Sequence, residues 1–312
     1  MKPIPDGIYA ASITPLDENL NIDFSRLIRH SFWLLENGCS GVLLMGTTSE
    51  ANSFTVNERK AAIEAVVKSG FPVNKLLVGT GCPSYKDTID LTGHALSMGL
   101  SQILMLPPFY YKPVSDDGLF SVYEKIIGEV SGQFKIYLYH FPALSGIFLS
   151  DDLISRLSAA FPDYIAGIKD SGGDWEHMRR LCGKQPGFKV FSGNEKFLKD
   201  ILDAGGAGCI TAVTNISGYI VSRLFLQSSF KEAENLQVRI NSLREIVEKY
   251  PVIPAVKELV GFIRRDESWN RVRPPLVRLS KKQILNLHSE VKSINFPNDF
   301  IKKLDDDQKL SF

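Results

Sequence analysis

YIAGIKD (residues 164–170) is an unbroken run of small and apolar residues closed by Lys169 and Asp170. A strand with one wet face alternates polar and apolar side chains. A strand buried on both faces reads as this one does, and such strands belong to parallel sheets covered by helices. KIYLYHFP (135–142) precedes it and KVFSGN (189–194) follows, each a run of the same kind separated from it by a helical pattern. Outward again lie GIYAASI (7–13), SGVLLMG (40–46), KLLVGTG (75–81), SQILMLPP (101–108) and GCITAVTN (208–215). After the first run, Phe24, Leu27, Ile28, Leu34 and Leu35 share one helical stripe, with Arg26, Arg29 and Glu36 off it. Asn37-Gly38 supplies the stop. Segments 56–69, 84–99, 115–130, 150–161, 174–184 and 195–204 repeat that rhythm. Eight strands alternating with helices predict an α/β fold, either a closed (β/α)8 TIM barrel or an open doubly wound sheet. The count of eight favours the barrel, but spacing alone does not separate the two.

From about residue 229 the rhythm stops. SFKEAENLQVRINSLREIVEKY, PAVKELVGFIRR and SKKQILNLHSEVKSI read as three helices without strands between them, punctuated by Pro251, Pro254, Pro274 and Pro275. The expected organisation is a barrel over 1–225 and a C-terminal helical domain over 226–312 packed on it, with LDDDQKLSF (304–312) as a frayed tail.

Composition narrows the function. The 312 residues are 44% hydrophobic and 23% charged, ordinary for a globular enzyme. A net charge of +1 gives no reason to expect nucleic acid or an acidic membrane surface as partner. Cys39, Cys82, Cys182 and Cys209 are widely spaced, as reduced buried thiols are. The N-terminus MKPIPDGIYAASITP has no long apolar core, and no apolar run reaches the ~18 residues of a membrane span. A cytoplasmic, soluble chain is expected.

Several chemistries are absent. Gly79-Thr80-Gly81 begins a dinucleotide fingerprint, but Ser84 stands where its third glycine belongs. There is no Walker A loop, no H-E-x-x-H and no G-x-S-x-G. His30, His94, His140, His177 and His288 lack ligand spacing, so no metal is expected.

Barrel enzymes keep their chemistry at the C-terminal ends of the strands. There this sequence places Gly46-Thr47-Thr48-Ser49-Glu50, Pro107-Pro108-Phe109-Tyr110-Tyr111, Tyr137-Leu138-Tyr139-His140-Phe141-Pro142 and Gly167-Ile168-Lys169-Asp170-Ser171. A lysine in an apolar strand points into the barrel or its mouth, where burial disfavours the ammonium and leaves a neutral amine able to attack a ketone. Taken alone, Lys169 could equally snorkel to solvent. Tyr139 and two threonines at neighbouring strand ends favour chemistry, the phenol moving a proton and the threonine hydroxyls and N–H groups binding a carboxylate. Thr55 and Glu58 form the expected capping box of the next helix.

GTTSE, PPFYYKP, YHFPALSG, IKDSGGD and YPVIPAVKELV…RPPL together resemble the dihydrodipicolinate synthase / N-acetylneuraminate lyase family of class I pyruvate-dependent aldolases. The resemblance spans nearly the whole chain and implies the (β/α)8 barrel with a helical C-terminal domain, as a tetramer built from two dimers. It implies Lys169 as the Schiff-base lysine and Tyr139 as the proton relay. Thr47 and Thr48 would complete the relay and hold the keto acid's carboxylate. Tyr110 would reach a neighbouring subunit's relay, and Ile210 would turn a backbone carbonyl toward the site. Ser171 and Gly193, after the sixth and seventh strands, join the expected substrate-binding set.

Departures limit the substrate. Synthases of the family carry Y-N-x-P-x-R-T, whose Arg grips a carboxylate, and here Leu144 takes its place, with Lys112 as one alternative cation. PALSG resembles the neuraminate lyase strand, yet that enzyme's polyol-binding Asp-Glu pair is replaced by Glu195-Lys196 and its serine by Ala212. Ser49 replaces a family glycine, where its hydroxyl either tunes the acceptor pocket or is a bland change. His140 replaces an Asn and is expected to turn away toward the helices. The expected function is an aldolase or lyase that makes or cleaves a 2-keto acid from pyruvate and an aldehyde, without metal or organic cofactor. The alternatives are the synthase of lysine biosynthesis and a Schiff-base dehydratase. A non-catalytic keto-acid sensor sits poorly with the presence of lysine, tyrosine and both threonines together.

Overall fold

The computed structural model describes residues 2–302 apart from residues 184 and 228; the tail 304–312 lies outside them. Its strands are β1 (Gly7–Ala11), β2 (Gly41–Leu44), β3 (Leu76–Gly79), β4 (Gln102–Met105), β5 (Lys135–His140), β6 (Ile165–Asp170), β7 (Lys189–Ser192) and β8 (Gly208–Thr211). Between and after them run α1 (Phe24–Glu36), α2 (Val56–Lys68), α3 (Tyr85–Ser97), α4 (Asp116–Glu129), α5 (Pro142–Ser145), α6 (Asp151–Ala160), α7 (Trp175–Leu181), α8 (Leu198–Asp203) and α9 (Thr214–Leu226). Then come α10 (Phe230–Glu248), α11 (Val252–Arg264) and α12 (Lys281–Ser293). All neighbouring strands are parallel, and β8 pairs back on β1 with Tyr9 opposite Ile210, closing the (β/α)8 barrel.

Why the strands read as continuous apolar runs is now plain. Tyr9, Ala11, Leu43, Leu77, Leu104, Tyr137, Phe191 and Ile210 form one cluster, the barrel interior. Ile8, Ala10, Val42, Leu44, Val78, Ile103, Leu138 and Val190 belong to another, packed against the helices. Successive side chains point to opposite faces, and both faces are dry.

The β5–β6 pairing contains a register shift. Ile136 lies opposite Ile165, but Tyr137 lies opposite Gly167, so Tyr139 meets Lys169. Without the extra residue Tyr139 would face Ile168. The bulge needs Gly167, because a Cβ there would sit 2.2 Å from the Lys189 carbonyl oxygen of β7.

The helix caps follow the sequence. Ser84, which broke the dinucleotide pattern, caps α3 by accepting from the Asp87 N–H. Thr55 and Glu58 make the reciprocal capping box of α2. Replacing Thr55 by Ala is expected to cost about 1 kcal/mol in urea unfolding without touching the barrel.

Two boundaries differ from the sequence reading. The last strand stops at Thr211 rather than running to residue 215, because Thr214 and Asn215 already belong to α9, a helix the sequence reading passed over. There Asn215 donates to the Ala11 and Ala212 carbonyls, so its polar side chain ties the helix start to β1. The segment 195–204 begins with a single 3₁₀ turn over Glu195–Phe197, and α8 starts only at Leu198.

In the C-terminal region α11 is buried almost all round from Pro254 to Gly261. Within it Lys257 donates at 2.5 Å to Glu50 of the loop after β2, and both side chains are fully buried. The C-terminal helix α11 is thereby fastened to the GTTSE loop.

Candidate active site

The strand ends converge on a cavity of about 530 Å³ at the C-terminal mouth of the barrel. Lys169, Tyr139, Thr47, Thr48, Ser171 and Gly193 all line it. Lys169 is only 4% exposed, and its Nζ lies 4.3 Å from the centroid of the Tyr139 ring. The Tyr139 hydroxyl and Thr47 Oγ1 are 3.3 Å apart, so phenol and threonine, from β5 and the loop after β2, are in hydrogen-bond contact while the β6 amine lies over the phenol ring. Gly193 packs closely on Ser171 at the site edge: a Cβ there would stand 2.9 Å from the Ser171 Cα, so a side chain would force the backbone to shift.

Tyr110 is not brought to this cavity within its own chain. It is 75% exposed, edge-on against Tyr111. Ile210 lies in the barrel interior and does not line the cavity; Ala212, two residues on, does. Ser49 is buried and its hydroxyl donates to the Ser12 carbonyl at 2.6 Å, so the extra oxygen braces β1 and does not reach the acceptor pocket. Lys112 spends its ammonium on the Phe109 carbonyl at 2.6 Å and is likewise absent from the cavity wall.

Asp170 turns outward from β6, as alternation requires, and meets His177 of α7 at 2.6 Å. His140 is buried beside them and accepts from the Leu149 N–H through Nδ1. Burial lowers the His140 pKa, Asp170 opposes the shift and His177 adds to it. Among the described residues these three form the one group whose ligand atoms could together hold a metal ion, lying within 4.8 Å of one another. Asp170 Oδ2 and His177 Nδ1 already pair with each other and His140 Nδ1 accepts from the Leu149 N–H, so the three brace one another behind Lys169.

The sequence reading missed the cavity's outer wall. Arg244 and Glu248 of α10, Phe197 before α8, and Val252 and Ile253 of α11 line it. Arg244 Nε donates to Glu248 Oε1 at 2.8 Å and Nη1 to Glu195 Oε2 at 3.3 Å. Burial would lower the Arg244 pKa, but the two carboxylates outweigh it and raise it. Burial likewise works to raise Glu248, and Arg244 with Lys196 holds it below the usual carboxylate range. The only sequence signal for this pair was its i, i+4 spacing, which on most helices marks nothing but a solvated face.

The profile of the dihydrodipicolinate synthetase family matches residues 4–294, which include every strand and all the cavity residues. The chain belongs to that family. Its members are lyases and synthases of the class I aldolase type, which use pyruvate and an aldehyde, and this chain is an enzyme of that type. A curated relative, 4-hydroxy-tetrahydrodipicolinate synthase of Bacillus subtilis, is 29% identical over 92% of this chain and 99% of its own length. The dihydrodipicolinate synthase of Agrobacterium tumefaciens superposes with a TM-score of 0.86 at 32% identity, covering 93% of this chain and 99% of that one. YagE of Escherichia coli, solved in complex with pyruvate, gives a TM-score of 0.87 at 25% identity, over 93% and 98% of the two chains. No helix among the described residues is long and apolar enough to cross a membrane.

Proposed function

We propose that this enzyme makes or cleaves a 2-keto acid from pyruvate and an aldehyde through an imine on Lys169. The observation that carries the reading is a buried lysine over the ring of a tyrosine whose hydroxyl reaches a threonine, all in one cavity. The unprotonated amine attacks the C2 ketone and loss of water leaves a protonated imine, which withdraws electrons from C3. In cleavage the C3–C4 bond breaks, the electron pair passes into the enamine of pyruvate, and Tyr139 takes the proton of the C4 hydroxyl as the aldehyde leaves. Thr47 passes that proton onward, and Thr48 offers its hydroxyl and N–H to the carboxylate. No metal or organic cofactor enters this scheme, and the imine itself is the electron sink. Exposure of Tyr110 leaves it free to reach a second subunit's relay in a cytoplasmic homotetramer.

Borohydride reduction in the presence of pyruvate tests the reading. A reduced adduct on the peptide holding Lys169 supports it; its absence from folded protein ends it. Tyr139→Phe is expected to keep that adduct while slowing the carbon–carbon step by about 10²- to 10⁴-fold.

A second reading is the condensation carried out by the curated relatives named as synthases. It requires a carboxylate-bearing aldehyde to bind where Leu144 stands. Aspartate semialdehyde offered with pyruvate separates the readings: ring-closed product at a rate above that of other aldehydes would establish the synthase.

A further inference from the structure

The cavity is far larger than its keto-acid end needs. Pyruvate has six heavy atoms, whereas about 530 Å³ lies well within the range that holds drug-sized ligands. Beyond Lys169 the apolar part of the wall includes Phe141, Leu144, Phe197, Val252, Ile253 and Leu276. These residues come from four separate parts of the chain: the end of β5 with α5, the turn before α8, the start of α11, and the loop before α12. Leu144 is 65% exposed although it borders a cavity, so a ligand that covers it removes apolar surface from water. Phe141 continues the aromatic line from Tyr139, with ring centroids 5.8 Å apart, and Phe197 is backed by a stacked Trp175 at 6.3 Å.

The charges of the cavity point the same way. Among its described lining residues the cations are Lys169, which the imine consumes, and Arg244. Arg244 is held between the carboxylates of Glu195 and Glu248, which neutralise it in place. A carboxylate on the aldehyde would meet no uncompensated cation among these residues, and a chain of hydroxyls would have to compete for polar groups already bonded to one another, Ser192 with Asn194 and both Asn194 and Arg244 with Glu248, or lie against methyl and phenyl groups.

We infer that the aldehyde half of the substrate carries an apolar group, aryl or branched aliphatic, that packs on this wall. The inference rests on the Lys169 imine proposed above and specifies its partner. In the forming direction, C3 of the pyruvate enamine attacks the aldehyde carbon and the new C–C bond forms. The aldehyde oxygen takes the Tyr139 proton, and water then hydrolyses the imine to release a 4-hydroxy-2-keto acid and free Lys169. Leu144 and Phe197 are the residues that set the preference, because they face the acceptor and stand away from the carboxylate end.

The test measures pyruvate consumption by the full-length protein with benzaldehyde, 2-methylpropanal, glyoxylate and glyceraldehyde, alongside borohydride trapping of pyruvate. The expected result is an adduct on Lys169 and a kcat/KM at least about tenfold higher for the two apolar aldehydes, the scale set by a few methylenes in a fitted pocket. Leu144→Arg should reverse that order in favour of glyoxylate. An adduct with glyoxylate or glyceraldehyde preferred by the native protein overturns the apolar acceptor and leaves the imine chemistry standing. No adduct overturns both.

Discussion

Replacing Lys169 with Ala is expected to remove turnover to background, a loss on the order of 10⁴-fold or more, together with all borohydride-trapped adduct. The size follows from the chemistry. Without the imine, the electrons of the breaking C3–C4 bond must pass into an unassisted ketone, and among the described lining residues the remaining cation, Arg244, is already compensated by Glu195 and Glu248. Lys169→Met tests the same point while filling more of the buried volume. Both variants should unfold cooperatively, since Lys169 makes no side-chain hydrogen bond or ion pair among the described residues and its chief contact is the Tyr139 ring. Activity within a few-fold of the native protein in either variant would rule out the Schiff-base scheme. Loss of activity with an adduct appearing on a different lysine would place the imine outside this cavity, because Lys169 is the one lysine among its described lining residues.

The second large effect is on stability. Lys257→Met is expected to cost about 3–5 kcal/mol in urea unfolding, because it leaves the Glu50 carboxylate buried without its counter-charge. Burial pulls the Lys257 pKa down, Glu50 pushes it back up, and Arg278 adds a smaller downward push. The pair therefore opposes a desolvation cost and is not a free gain. Glu50→Gln in the Lys257→Met background should recover part of the loss, since the lone charge is gone while the amide can still accept from the Arg273 N–H now bound by Glu50 at 2.7 Å. Equal losses in the single and double variants would mean that the pair contributes packing rather than charge compensation. Glu50 also sits in a left-handed backbone conformation, φ 61°, two residues after Thr48. Loosening it should raise KM for pyruvate in whatever fraction of the Lys257→Met protein stays folded.

Much of this was legible in the residues. Lys169 by itself fitted a side chain snorkelling to solvent from a strand end; it could be singled out because Tyr139, Thr47 and Thr48 stand at neighbouring strand ends, and Tyr139 in turn needed Lys169 beside it to be more than a core residue. The capping box at Thr55 and Glu58 was readable because it is a local motif, complete within four residues. The outer wall was not readable. Arg244, Val252 and Leu276 lie far from Lys169 in sequence and approach it only when the C-terminal helices fold back over the barrel mouth.

Read by itself, the sequence determined what depends on short-range pattern: eight doubly buried strands, the helices between them, the capping box at Thr55 and Glu58, and the residue types able to form an imine. Tertiary structure decided what depends on closure and register. Closure brings β8 onto β1, and no periodicity within either strand encodes that partner. Register decided the chemistry, since a one-residue shift between Ile136 and Tyr137 sets Lys169 rather than Ile168 beside Tyr139. Side chains alternate with a period of two along a strand, so a slip of one residue exchanges the inward face for the outward one, and only the packed neighbours on both sides select between them.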